Sequence, residues 1–219
     1  MLDAVFFDLD GTLADTAPDL GGALNRLLAE EGRPALPAAT LRPHVSAGTR
    51  GLLRIGFGAT PADAAYPALA RRFLDHYAQA LCVGTTLFPG IAAVLDALDA
   101  NGILWGVVTN KPHRFSLPLM TQLGLEARAA AIVSGDTTAN SKPHPEPLLF
   151  ACTAARVLPS RSLYVGDDRR DIEAGRAAGM RTAIAAYGYL GEEPAIEDWQ
   201  ADATISRPDE ILGLVGLAC

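Results

Sequence analysis

Short apolar runs alternate with longer segments of helical period along most of this chain. Residues 4–8, 103–109, 130–133, 163–165 and 182–186 are runs of strand length, rich in Val, Ile, Leu and Phe. Such unbroken apolarity over so few positions predicts strands covered on both faces. Between them, residues 91–100, 112–123, 146–157 and 171–178 space their apolar side chains at helical intervals. Pro118, inside the second of these, weakens that helix because it removes a backbone donor. The alternation predicts βαβ units, hence an α/β fold with a parallel sheet and helices on both faces.

Residues 16–87 break the pattern: several helices are expected there and no convincing strand. Thr16, Pro18 and Asp19, and again Thr60, Pro61 and Asp63, match a helix start. The Thr stands at the N-cap, the Pro in the first turn and the Asp against the positive end of the dipole. Gly32 closes the first of these helices, and Phe88-Pro89-Gly90 returns the chain to alternation. Residues 16–87 are therefore expected to form a helical domain inserted into a core made of residues 1–15 and 88–219.

Composition narrows the class. The chain has 219 residues, 49% hydrophobic and 20% charged, with a formal net charge of −7. It is too apolar for disorder and too acidic for a nucleic-acid footprint. No run of about 18 apolar residues is present, so no bilayer span is expected. Three scattered cysteines (Cys82, Cys152, Cys219) fit a reducing compartment better than a disulfide scaffold. The first strand begins at once, without a basic leader, and a cytoplasmic protein is expected. Of the 18 Lys and Arg, only Lys111 and Lys142 are lysine. Where any surface cation would serve, this chain uses Arg, so these two are candidates for positions that require a compact ammonium.

The candidate chemistry is carboxylate chemistry. Asp8 and Asp10 stand two apart where the first strand ends, so both can reach one crevice at the carboxyl edge of the sheet. Gly11 permits the sharp turn that follows. A second acidic group, Asp167, Asp168 and Asp171, follows the 163–165 strand in the equivalent place. Solvated loop acids or helix caps are the plain alternative, most of all for Asp168 and Asp171. If the strands are neighbours, however, carboxylates about 4 Å apart repel by roughly 4 kcal/mol at an effective dielectric of 20. An all-oxygen cluster then calls for a hard cation, Mg²⁺. Thr109 and Asn110 end another strand, and Lys142 precedes a helix. A nucleophilic carboxylate, a hydroxyl, an ammonium and Mg²⁺ around one pocket suit phosphoryl transfer, which is mostly positioning and charge stabilisation.

Asp8-Leu-Asp10-Gly-Thr-Leu, Thr109-Asn110, Lys142-Pro143 and Gly166-Asp167-Asp168-x-x-Asp171 resemble, in order and spacing, the four motifs of the haloacid-dehalogenase-like phosphatases. The resemblance implies a Rossmann-like, doubly wound parallel core with an α-helical cap. It implies Asp8 as nucleophile, Asp10 as general acid/base, and Thr109 and Lys142 as phosphate-binding residues; the Asn110 backbone amide is a further candidate to bind the phosphate. Mg²⁺ would be held by the Asp8 carboxylate, the Asp10 carbonyl and Asp167, with Asp171 in the outer shell. The presence of Asp10 argues against dehalogenation, and Gly166 before Asp167 favours hydrolysis over the mutases, which carry Glu-Asp there. A non-catalytic phospho-ligand binder is the rival of another class. Within the family, the chain resembles phosphoglycolate phosphatases and a proteobacterial subgroup acting on N-acetylmuramic acid 6-phosphate; the strand around Trp105 and Tyr187-Gly188-Tyr189 carry the second likeness. Both substrates are phosphate monoesters bearing a carboxylate. Arg50, then His44, in the polar, glycine-containing segment 42–50, are the candidate specificity residues. Trp105 and Tyr164 read as core, and a monomer or a homodimer is expected.

Overall fold

A computed structural model describes residues 2–191 and 195–217; Cys219 lies outside them. In chain order the strands are β1 (Ala4–Phe7), β2 (Ala14–Asp15), β3 (Thr86–Leu87), β4 (Leu104–Val108), β5 (Ile132–Val133), β6 (Ser162–Gly166), β7 (Arg181–Ala185) and β8 (Ala203–Ile205). The helices are α1 (Ala17–Glu30), α2 (Ala38–Leu41), α3 (Gly48–Phe57), α4 (Tyr66–Gln79), α5 (Ile91–Ala100), α6 (His113–Gln122), α7 (Glu146–Ala155), α8 (Arg169–Ala177) and α9 (Glu210–Val215).

Six strands form one parallel sheet in the order β5-β4-β1-β6-β7-β8. Every residue of β1 is buried, and its alternation sorts the two faces. Val5 and Phe7 pack with Ile91, Leu95 and Ile211 from α5 and α9. Ala4 and Phe6 pack with Leu148, Ala151 and Ala174 from α7 and α8. Phe7 lies opposite Val107 of β4 and Val165 of β6. Asp8, Thr109 and Asp167 consequently leave three adjacent strands at nearly the same height, where strand order reverses about β1. Open parallel sheets bind ligands at that place.

Between β2 and β3, which pair antiparallel (Ala14 with Leu87, Asp15 with Thr86), the chain runs through α1–α4. Leu20, Leu24, Leu27 and Leu28 give α1 a buried stripe at helical spacing. That stripe joins Leu41, Leu52, Leu53, Phe73 and Tyr77 in a layer continuous with the β1 face of the core.

Several expectations are corrected. Thr16 stands at the N-cap of α1 as expected, but its hydroxyl caps no helix amide: it donates to Asp10 Oδ1 at 2.6 Å. Asp19 does stand in the first turn of α1, but its carboxylate accepts the Val83, Gly84 and Thr85 amides at 2.8–3.0 Å and so ties down the returning chain. Asp63 receives the Thr60 amide and hydroxyl in a local turn, and α4 starts only at Tyr66. The expected 130–133 strand shrinks to Ile132–Val133. The α6 helix continues through Pro118. β8 and α9 have no counterpart in the sequence reading; both are short, with few apolar positions to set a period.

Candidate active site

A tight turn presents the first carboxylates. The Gly11 amide donates to the Ala14 carbonyl at 3.0 Å, with Gly11 at φ +91°. Only a glycine fits there: a Cβ would fall 2.2 Å from Asp167 Oδ2. β1, β6 and the first turn of α8 thus bring Asp8, Asp167 and Asp171 together, one oxygen of each lying within 4.8 Å of the others, and all three residues are buried.

Lys142 stands at the centre. Its ammonium reaches Asp8 Oδ1 and Asp171 Oδ1 at 2.7 Å, the Tyr164 hydroxyl at 2.8 Å and the Val108 carbonyl at 3.0 Å. Burial alone would lower its pKa, yet Asp171 and Asp8 outweigh that and raise it. Tyr164, expected as core, is fully buried, and its hydroxyl donates to the Val108 carbonyl at 2.7 Å. Asn110 clamps the Lys142 backbone, donating through Nδ2 to the carbonyl at 2.9 Å and accepting the amide on Oδ1 at 3.0 Å. Thr109 accepts the Lys111 amide at 3.2 Å, which leaves its hydroxyl proton for a ligand.

The acids differ in what compensates them. Asp171 gives Oδ1 to Lys142 and Oδ2 to the Asp168 amide, closing a capping box at the start of α8. Burial pushes its pKa up to about 7, with Lys142 pulling down and Asp8 pushing up. Asp168 caps that helix as the plain alternative foresaw, and it holds Arg170, whose Nη2 reaches the Ser46 carbonyl at 2.8 Å. Asp167 is fully buried but receives only neutral donors: the Thr12 hydroxyl at 2.7 Å, the Tyr189 amide at 2.9 Å and the Ser46 hydroxyl at 3.3 Å. Burial, then Asp8 and Asp171, hold its pKa well above the carboxylate range. No Lys or Arg pairs with Asp167 among the described residues. A buried acid beside two others, without a cation, fits an oxygen-liganded divalent ion.

Asp10 takes both of its partners on one oxygen, Thr16 and the Lys111 ammonium at 2.8 Å, each on Oδ1. Lys111 also lies 4.7 Å from the centre of the Tyr77 ring on α4. Burial disfavours its charge, but Asp10 and Tyr77 raise its pKa.

These groups open into a cleft of about 530 Å³. Its far wall comes from the helical insert: Leu20, Val45, Ser46, Thr49, Arg50, Tyr66, Leu74 and Tyr77. Arg50, in the first turn of α3, is exposed to the cleft and pairs with no described residue. His44 does not line the cleft. It sits in the preceding single turn, where burial and then Arg54 lower its pKa. At the base of the insert, Arg42 Nη1 grips both Asp15 oxygens at 2.9–3.0 Å and its guanidinium lies over the Tyr189 ring at 4.9 Å. The Tyr189 hydroxyl donates to Asp15 at 2.8 Å and accepts the Ala17 amide at 2.9 Å. Sequence reasoning missed Thr16, Ser46, Tyr77 and Tyr189 as site residues. The Thr and the Tyr residues match ordinary helix-cap and core patterns, and their roles arise only from contacts across 6 to 174 residues.

The fold and this constellation define a hydrolase class. A family model described as haloacid dehalogenase-like hydrolase matches residues 5–185, and the chain belongs to that family. Its relatives place it among the family's phosphatases. N-acetylmuramic acid 6-phosphate phosphatase of Pseudomonas putida is 43% identical over 217 residues, 99% of this chain and 97% of the relative. Phosphoglycolate phosphatase of Xanthomonas campestris pv. campestris is 44% identical over 209 residues, 95% and 94% of the two chains. Among solved structures, a Haemophilus somnus protein described as a predicted phosphoglycolate phosphatase superposes with a TM-score of 0.85 at 27% identity, covering 97% of each chain.

Proposed function

We propose that this chain is a Mg²⁺-dependent phosphomonoesterase that hydrolyses a phosphorylated carboxylic acid through a phosphoryl-Asp8 intermediate. One observation carries the reading: Asp8 stands at the sheet edge with one oxygen on Lys142, next to an Asp167 that is buried without a cation. An Asp8 carboxylate oxygen attacks phosphorus, forming an acyl phosphate as the bond from phosphorus to the leaving oxygen breaks. Asp10 gives that oxygen a proton, then removes one from the water that hydrolyses the acyl phosphate to free phosphate and the Asp8 carboxylate. Lys142, the Thr109 hydroxyl and the Asn110 backbone amide, which donates to no described acceptor, hold the phosphoryl oxygens. Asp8, the Asp10 carbonyl and Asp167 would hold Mg²⁺, whose charge offsets that gathering on phosphorus. Asp171 stays outside because both of its oxygens are taken.

Residues 16–87 act as a cap over the cleft, and Arg50 offers a planar fork to the substrate carboxylate. A cleft of about 530 Å³ with Leu20, Leu74, Tyr66 and Tyr77 on its wall is larger than a two-carbon acid needs. That supports N-acetylmuramic acid 6-phosphate over 2-phosphoglycolate. The two described cysteines are free thiols, which agrees with a cytoplasmic setting. Hydrolysis is favoured over mutase chemistry by Gly166, where a Cβ would meet Asp171 Oδ2 at 2.3 Å and leaves no room for the mutases' Glu. The test is a kcat/KM panel with Mg²⁺, comparing N-acetylmuramic acid 6-phosphate, 2-phosphoglycolate and hexose phosphates. Free phosphate with the first substrate preferred supports the reading; an isomerised sugar phosphate, or no turnover of any, refutes it.

A further inference from the structure

Both lysines of a chain that otherwise uses arginine lie buried in this one cleft. Lys142 has an evident task between Asp8 and Asp171. Lys111 has none in the reaction as written, although burying an ammonium is expensive unless it does something there. Its surroundings are specific: Asp10 Oδ1 at 2.8 Å on one side and the Tyr77 ring at 4.7 Å on the other. Thr16 reaches the same Oδ1 at 2.6 Å. No described donor reaches Asp10 Oδ2. One oxygen is pinned twice, and the other is left for proton transfer.

We propose that Lys111 is a positioning residue for the acid–base step: it fixes Asp10 by Oδ1, with the Tyr77 face as backstop, so that Oδ2 is the oxygen that delivers the proton. The inference rests on the reading of Asp10 as general acid/base. It also explains why lysine is kept. An ammonium is a point donor and binds a single oxygen, whereas a guanidinium fork favours both oxygens of a carboxylate. Arginine at 111 would occupy the oxygen that must stay free. In the step concerned, the bond from phosphorus to the leaving oxygen breaks and the Oδ2 proton moves to that oxygen, leaving Asp10 as the carboxylate. A poor leaving group, such as a sugar alkoxide, needs that proton; p-nitrophenolate departs without it.

The experiment measures kcat and KM of the full-length protein with Mg²⁺, comparing the wild type with Lys111→Met and Lys111→Arg. Substrates are p-nitrophenyl phosphate and the alkyl phosphate that the wild type turns over best. General acid catalysis contributes about 10²–10⁴-fold. Misplacing the acid should therefore lower kcat on the alkyl phosphate about 10- to 100-fold in both variants, with KM little changed. Because Asp10 also acts as base in the later hydrolysis, p-nitrophenyl phosphate is read in its first turnover: the burst rate of p-nitrophenolate release should fall by less than about 3-fold, which also shows that the variants fold. Equal losses in that burst and in the alkyl phosphate kcat, a raised KM with kcat kept, or full rescue by Arg each overturn the inference. A wild type inactive on both substrates would instead overturn the phosphatase reading beneath it.

Discussion

Gly188 is the position where a single added carbon tests the proposed metal site most directly. An alanine Cβ there would stand 2.3 Å from the Gly11 carbonyl oxygen and 2.5 Å from Asp167 Cβ, whereas ordinary contact begins at 3.4 Å. The shortfall is about 1 Å on both sides, and neither neighbour is a rotatable chain end that could swing aside. Either residues 187–189 lift away or Asp167 is pushed, and in both cases the 2.9 Å bond from the Tyr189 amide to Asp167 Oδ2 is strained or lost. Overpacking of this kind costs about 1–3 kcal/mol, or about 2–4 °C in Tm per kcal/mol at this size. Metal ligands must be held within about 0.5 Å, and loss of a bond that orients a ligand typically weakens metal affinity about 10- to 100-fold. The Mg²⁺ concentration for half-maximal turnover should rise by that factor in Gly188→Ala, with kcat at saturating Mg²⁺ largely recovered. Turnover titrated against Mg²⁺, together with thermal melts with and without the ion, measures both quantities. A variant with wild-type Mg²⁺ dependence and an unchanged melt would refute the idea that Gly188 spaces Asp167.

Asp8→Asn should abolish turnover and the covalent phosphoenzyme seen after rapid acid quench, while Mg²⁺ still shifts the melt; retained turnover excludes Asp8 as nucleophile. Arg50→Ala should raise KM for carboxylate-bearing phosphates about 10- to 100-fold, the worth of a charged hydrogen bond, and leave an uncharged phosphate ester nearly unaffected; equal shifts reject the carboxylate contact. Lys142→Met removes the cation between Asp8 and Asp171. It should destabilise the metal-free protein by about 3–5 kcal/mol in urea unfolding, and a loss below 1 kcal/mol would contradict the central place given to that ammonium.

The core was legible because its signals are local and dense. The apolar runs 4–8, 103–109 and 163–165 become β1, β4 and β6 with shifts of one residue at their ends. Strand adjacency then carries the acids together without further instruction. The helical insert was legible as helices but not in its capping. Thr16, Asp19 and Asp63 have the composition of helix starts, yet tertiary acceptors and donors outbid the local ones at 16 and 19, and a turn does so at 63. Of the two substrate candidates in segment 42–50, Arg50 faces the cleft and His44 does not. The difference is where one short turn gives way to α3, below what residue type conveys. Asp168 proved a cap because its neighbour Arg170 and the α8 amides were both within reach.

Tyr189 joins two regions that a designer would want to exchange separately. Its amide serves Asp167, while its ring and hydroxyl seat Arg42, Asp15 and Ala17 where the inserted helices leave the sheet. A chimera that grafts the inserted helices of one relative onto the sheet of another must therefore carry the loop after β7 with it. Without that loop the transplanted helices lack their anchor, and the acid beneath loses a donor in the same stroke.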